Sequence, residues 1–347
     1  MTDRLEFIDA IKGFAITLMV MGHVIAWMFV DWSVLIPTSS SPALLWNLIY
    51  SFHMPLFMFV SGYLFGRKQI CDFGAYFKYV GRKSLPLLIP YFVMGIVAHY
   101  YYAFAYGKSY HWFAYWYLLT LFQLIAVVGL ILLCSARIRN RMVKLAVDIV
   151  LLLVAYRSIL WLQFCMPAIC SYVPKFAYLG VDHIQGMFWP FAIGMLFTKY
   201  NINIPKWIDS IKGVWCCFLL WAFSFSFNLS EICKWSGVFA AFIAFRNISW
   251  LRHNAVTYIG RISLSIYILH LFFRYPFLAA GKWFVEVSLE YGLTGRILTL
   301  PVQLVLSLAI SLVIIIACAV LDRQIQKVPI VRTLVLGACG ARRKFVS

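Results

Sequence analysis

The sequence predicts an all-α membrane protein, a polytopic helical bundle of about ten transmembrane helices with both termini cytoplasmic. Three observations predict it. Hydrophobic residues make up 63% of the 347 residues and charged residues only 12%, against about 45–50% and about 25% in soluble domains. Apolar stretches of membrane-spanning length recur along the whole chain. The positive charges gather between alternate stretches. A water-soluble globule and a disordered tail are both excluded, because neither could keep so much apolar surface.

A helix rises about 1.5 Å per residue, so crossing about 30 Å of hydrocarbon takes roughly 20 apolar residues. Candidate spans run near 10–30, 43–65, 85–104, 112–134, 145–163, 181–198, 213–229, 235–251, 256–276 and 297–320. The third carries Pro86 and Pro90 in its first turns, where proline is tolerated. The seventh and eighth are joined by a very short connection that holds Glu231 and Lys234. The first stretch is too long for the core of a cleavable signal peptide, and no small-residue cleavage site follows it. There is no long internal repeat and no Gly/Ser linker, so residues 1–347 read as one integral membrane domain.

The formal net charge is +18, and such a balance can signal nucleic acid. Here its placement signals topology. With the N-terminus inside, the cytoplasmic side receives 22 Lys and Arg residues, in clusters such as Arg67–Lys83, Arg137–Lys144, Lys199–Lys212 and Arg323–Lys344. The other side receives five: Lys108, Lys175, Lys234, Lys282 and Arg296. That asymmetry obeys the positive-inside rule, and no nucleic-acid partner is needed to explain the charge.

The nine cysteines fit no metal spacing: Cys216 and Cys217 are adjacent, Cys165 and Cys170 are five apart, and no CxxC pair occurs. They read as apolar filler, although Cys165, Cys170 and Cys233 would lie on the side where a disulfide can form.

Ionisable groups inside spans are costly and so mark candidate sites. In the first span Lys12 and His23 are eleven residues apart, close to three whole turns. Both project from one face, roughly 16 Å apart along the axis. Asp9 lies one turn below Lys12 on that face. Either Lys12 snorkels and His23 bonds a neighbouring helix, or the face is a site. In the second span Pro55 frees a backbone carbonyl that His53 could bond. Arg67, Lys68, Lys78, Arg82 and Lys83 form a basic loop before Leu85–Tyr91, which reads as topology or as a phosphate site. Trp112, Trp116 and Tyr117 fit an interfacial aromatic belt. In the ninth span Tyr267 and His270 share a face as a helix contact or a site.

Four segments together resemble integral membrane acyltransferase family 3, in its fucose O-acetylase-like branch. They are Phe7–Ile16 ending in Gly22-His23; His53-Met54-Pro55-Leu56-Phe57 followed by Ser61-Gly62-Tyr63; the basic run into Leu87-Leu88-Ile89-Pro90-Tyr91; and Ser263–His270. Their order and spacing cover nearly the whole chain, and the first two are the specific ones. Two features depart from the family pattern. Many relatives carry Arg where this chain has Lys12, which loses the bidentate fork. The basic run is also sparser beside its proline.

The resemblance implies a multi-pass protein of the bacterial inner membrane that moves an acyl group, usually acetyl, from cytoplasmic acetyl-CoA. The acceptor would be a sugar hydroxyl of an envelope glycan or lipid-linked saccharide. Acetyl-CoA is then a co-substrate, with no bound cofactor and no metal. A sugar hydroxyl is a poor nucleophile, and an imidazole with an ordinary pKa near 6.5 suits the task of taking its proton. His23 is thus the expected general base or transient acyl carrier, with Asp9 and His53 as catalytic neighbours. Lys12, Arg82 and Lys83 are the expected phosphate-holding residues, and Tyr267, His270 and Trp116 are acceptor or structural residues. The competing class is a transporter or flippase for a lipid-linked sugar, against which the lack of an internal repeat counts.

Overall fold

The computed structural model describes residues 6–28, 41–68, 70–106, 115–172, 180–274 and 296–337. Among these the chain is all-helical, without strands. Its helices in order are α1 Glu6–Met28, α2 Ser41–Tyr50, α3 His53–Gly66, α4 Phe73–Tyr106, α5 Trp116–Cys134, α6 Arg141–Tyr172 and α7 Val181–Lys199. There follow α8 Ile211–Ser226, α9 Ser230–Asn247, α10 Asn254–Arg261, α11 Ser263–Leu269, α12 Arg296–Ile325 and α13 Pro329–Leu336.

Among the described residues six stretches are long and apolar enough to cross a membrane: Glu6–Met28, Leu44–Gly66, Phe73–Phe104, Trp116–Cys134, Arg141–Pro167 and Gln303–Ile325. A seventh arises if α10 and the segment Ser263–Phe273, bent by 63° at Ile262, form one broken span. The expected sixth, seventh and eighth spans fall on α7, α8 and α9, which lie outside that set. Helix α8 has only 16 residues, about 24 Å of rise. Helix α9 carries Glu231, Lys234 and Arg246.

Two local expectations are corrected. The basic residues Lys78, Arg82 and Lys83 are not in a loop: α4 begins at Phe73, so they ride on its first turns, and Pro86 and Pro90 sit in the interior of a 34-residue helix. Pro55 lies mid-span, near the centre of Leu44–Gly66, but not mid-helix. A break at Ser51–Phe52 ends α2, and Pro55 is the third residue of α3, a first-turn position that needs no donor.

The chain clusters into two compact units. Residues 1–57 and 204–323 form the first, and residues 58–203 and 324–347 the second. In the first unit α1 packs on α2, α9, α10 and α11, and α8 pairs with α9. Glycine decides the closest approach. A Cβ on Gly260 would lie 1.7 Å from the Asp9 carbonyl oxygen, and one on Gly13 would lie 2.0 Å from that of Val256. The backbones of α1 and α10 therefore touch, as small residues allow between membrane helices.

In the second unit α5 packs on α4, α6 and α7, and α13 packs on α4. Gly62 and Gly66 of α3 meet the carbonyls of Phe191 and Met195 on α7 in the same manner. Cys165 and Cys233 are free thiols, and the side chain of Cys170 lies outside the described residues.

Candidate active site

The contact of α1 with α10 fixes the N-terminal half of the first-span face. Asp9, 5% exposed, stands between two cations, with one carboxylate oxygen 3.8 Å from Lys12 Nζ and the other 3.7 Å from Arg261 Nε. Asp9 thereby draws Lys12 and Arg261 to one place. Asp9 is fourteen residues from His23, about 21 Å along the helix, so it does not touch the imidazole. Its neighbours make it an organiser of the basic rim.

Three turns above Lys12, His23 opens onto a box of rings. His270, from the 3₁₀ turn that follows α11, places its ring centroid 5.0 Å from that of His23. Trp27, one turn along α1, lies 5.7 Å from His23 and 6.3 Å from His270, nearly parallel to the latter at 15°. Tyr50 at the end of α2 closes another side, 6.5 Å from His23 and 4.6 Å from His53. Trp46 stacks behind Tyr50 at 4.1 Å. Gly22 makes this possible, because a Cβ there would lie 2.8 Å from the Tyr50 ring.

The three imidazoles are held differently. His53 and His270 are each 1% exposed, whereas His23 keeps part of its surface open. His53 Nδ1 lies 2.8 Å from the Ile49 carbonyl and His270 Nδ1 lies 3.0 Å from that of Ile266. His53 was expected to bond a carbonyl freed by Pro55. It instead caps the end of α2, where the terminal carbonyls lack helical partners. Among the described residues no group of three or more His, Cys, Asp or Glu side chains is disposed to hold a metal ion.

Of the remaining expected site residues, all but Tyr267 belong to the second unit. Arg82 is exposed on α4, and Lys83 Nζ lies 5.9 Å from the Tyr79 ring centroid. Trp116 stacks on His183 at 4.4 Å, and the Tyr117 hydroxyl is 3.0 Å from Ser61 Oγ. Trp112 lies outside the described residues. Tyr267, 8% exposed, has its ring 6.2 Å from that of His270.

Some residues were missed. Trp27, Trp46 and Tyr50 were not singled out, since apolar spans are full of aromatics and only packing shows which ones meet a histidine. A second buried polar cluster was also missed. Asp148, 0% exposed, accepts from Lys199 Nζ at 2.5 Å and from the Tyr200 hydroxyl at 2.6 Å. Lys199 also donates to Ser135 Oγ at 3.3 Å, and Arg141 donates to the Tyr200 carbonyl. Its signal was available: Asp148 is an ionisable residue inside the fifth expected span.

Comparison with known proteins adds the family. The chain matches the family model described as an acyltransferase domain, acyltransferase family 3, over residues 5–320. No curated protein and no solved structure matches. The match takes in the aromatic box and the Asp148 cluster and ends within α12. The chain therefore belongs to acyltransferase family 3 and is a multi-pass membrane acyltransferase.

Proposed function

We propose that this acyltransferase moves an acetyl group from acetyl-CoA to a hydroxyl of a sugar, in an envelope glycan or lipid-linked saccharide of the bacterial inner membrane. The proposed topology is ten spans with both termini cytoplasmic, supported by the charge asymmetry of the sequence. In the family, the proposed relationship is to the fucose O-acetylase-like branch.

The observation that carries the reading is the box around His23. One partly open imidazole is backed by two buried ones and walled by Trp27 and Tyr50. In the proposed step the sugar hydroxyl oxygen attacks the thioester carbonyl carbon. A C–O bond forms and the C–S bond breaks. His23 takes the hydroxyl proton as general base and returns it to the departing thiolate, so the products are an acetyl ester and the free thiol of CoA. Lys12, on the same face of α1 and roughly 16 Å away, suits the donor's phosphates at the basic rim, with the pantetheine arm spanning the interval. Arg82 and Lys83 are on the second unit, and their part in donor use is a separate proposal.

The test uses the purified protein in lipid nanodiscs with acetyl-CoA and a panel of alkyl glycosides. Release of free CoA coupled to acetyl-glycoside formation is the expected result. No acetyl transfer to any glycoside, with lipid-linked sugar moved between leaflets instead, would overturn it in favour of a flippase.

A further inference from the structure

We infer that His53 and His270 are fixed hydrogen-bond acceptors that read the hydroxyls of a carbohydrate acceptor beside His23. The inference rests on the acyl-transfer reading and deepens it, by naming the groups that make the acceptor a polyol.

The argument begins with the two Nδ1 atoms. Each faces a backbone carbonyl four residues earlier, Ile49 at 2.8 Å and Ile266 at 3.0 Å. A carbonyl oxygen only accepts, so the ring nitrogen facing it donates. In a neutral imidazole that donation uses the single ring hydrogen and leaves Nε2 as a bare lone pair. The helix backbone thereby sets both tautomers alike, in two segments far apart in the sequence.

Both Nε2 atoms are buried and have no hydrogen-bond partner among the described residues. A buried acceptor without a donor is costly, and native structures seldom keep one without a use. Here two of them sit in one box: His270 beside His23, and His53 against the Tyr50 ring that also faces His23. What satisfies them must bring hydrogens. The acetyl thioester group has none to give, and a simple alcohol brings one. A sugar brings several on neighbouring carbons. The surrounding surfaces suit the same ligand. Trp27 lies nearly parallel to His270, and Trp46 is stacked on Tyr50, so flat apolar faces flank the polar atoms, the usual make-up of a small-molecule site. His23 is then left to act on whichever hydroxyl the two readers place against it.

The test separates this from a merely structural role. In nanodiscs, binding of octyl glucoside, octyl galactoside, octyl mannoside and 1-octanol is followed by quenching of tryptophan fluorescence. At least one glycoside is expected to bind in preference to octanol. His53→Phe and His270→Phe keep a ring and remove the acceptor, and each should cut that preference about tenfold. His53→Gln and His270→Gln can present an acceptor near Nε2 and should restore most of it. Equal binding of glycosides and octanol, or Phe variants that keep the full preference, would overturn the inference. A ligand-free check needs no variant: ¹⁵N NMR of labelled histidine should show Nε2 of both rings unprotonated, and a hydrogen on either would overturn the assignment of that ring. Acetyl-CoA turnover in the same nanodiscs keeps the two readings apart. Glycoside preference without turnover sinks the reaction and leaves the readers, and turnover with octanol used as well as glycosides does the reverse.

Discussion

Each unit of this protein buries a polar cluster, and the two clusters are built to opposite ends. In the second unit, Asp148 accepts from Lys199 and Tyr200, and Lys199 also donates to Ser135, all from the chain itself. Its charge is balanced, and the ends of α5, α6 and α7 are pinned at one place. In the first unit, His23, His53 and His270 meet among aromatic rings with no anion among their described contacts, and two of their nitrogens are left bare. A cluster that balances its charge internally holds helices together. A cluster that leaves acceptors open is built for something that arrives. Asp148 keeps one bare oxygen, Oδ1, but its other oxygen takes two donors, so the ionic role is filled.

The comparison can be broken by substitution. The largest stability effect is expected at Asp148→Ala, which strands the Lys199 ammonium. Breaking a buried pair costs roughly 3–5 kcal/mol, so the thermal midpoint of the purified protein should fall steeply. A midpoint unchanged within a degree or so would remove the pinning role. Gly260→Ala comes next. The new methyl would overlap the Asp9 carbonyl, and overpacking of this kind costs typically about 1–3 kcal/mol. Because α1 must then shift, acyl transfer should fall together with the midpoint.

A smaller and more selective effect is expected at Lys12→Ala and, separately, Arg82→Ala. Each should raise KM for acetyl-CoA about tenfold and leave the midpoint near wild type, since charge-assisted hydrogen bonds contribute about 1.5–3 kcal/mol where they form. Unchanged KM in both would move the phosphate site elsewhere. The smallest effect is expected at Glu231→Gln. Its pair with Lys234 is exposed on the Glu231 side, and such pairs contribute about 0–1 kcal/mol, so neither midpoint nor transfer should move measurably.

The all-helical membrane class was legible because it rests on composition and on stretch length, which are properties of the sequence itself. The shared face of Lys12 and His23 was legible for the same reason, since three whole turns of one helix are fixed by spacing alone. Other features depend on contacts between distant segments. Nothing near Gly22 announces that Tyr50 will lie against it, and nothing near His23 announces His270. The resemblance to family 3 put both segments in view, and only packing made them neighbours. The break at Ser51–Phe52 was hidden by a hydrophobic run that continues through it. The helical start of α4 was hidden because basic residues ahead of two prolines read as loop, although a helix carries them equally well on an exposed face. Asp148 was overlooked although the rule that singled out His23 applies to it as well.

The central claim is that the first unit's imidazole box performs the transfer and the second unit's ionic cluster only supports it. The most direct measurement compares acetyl transfer per folded molecule in His23→Ala and Asp148→Ala, with thermal midpoints taken on the same samples. The account predicts that His23→Ala loses about 10²–10⁴-fold in transfer at an unchanged midpoint. Asp148→Ala should lose stability and keep near wild-type transfer in the fraction still folded. Full transfer by His23→Ala, or a folded Asp148→Ala protein as inactive as His23→Ala, would contradict it.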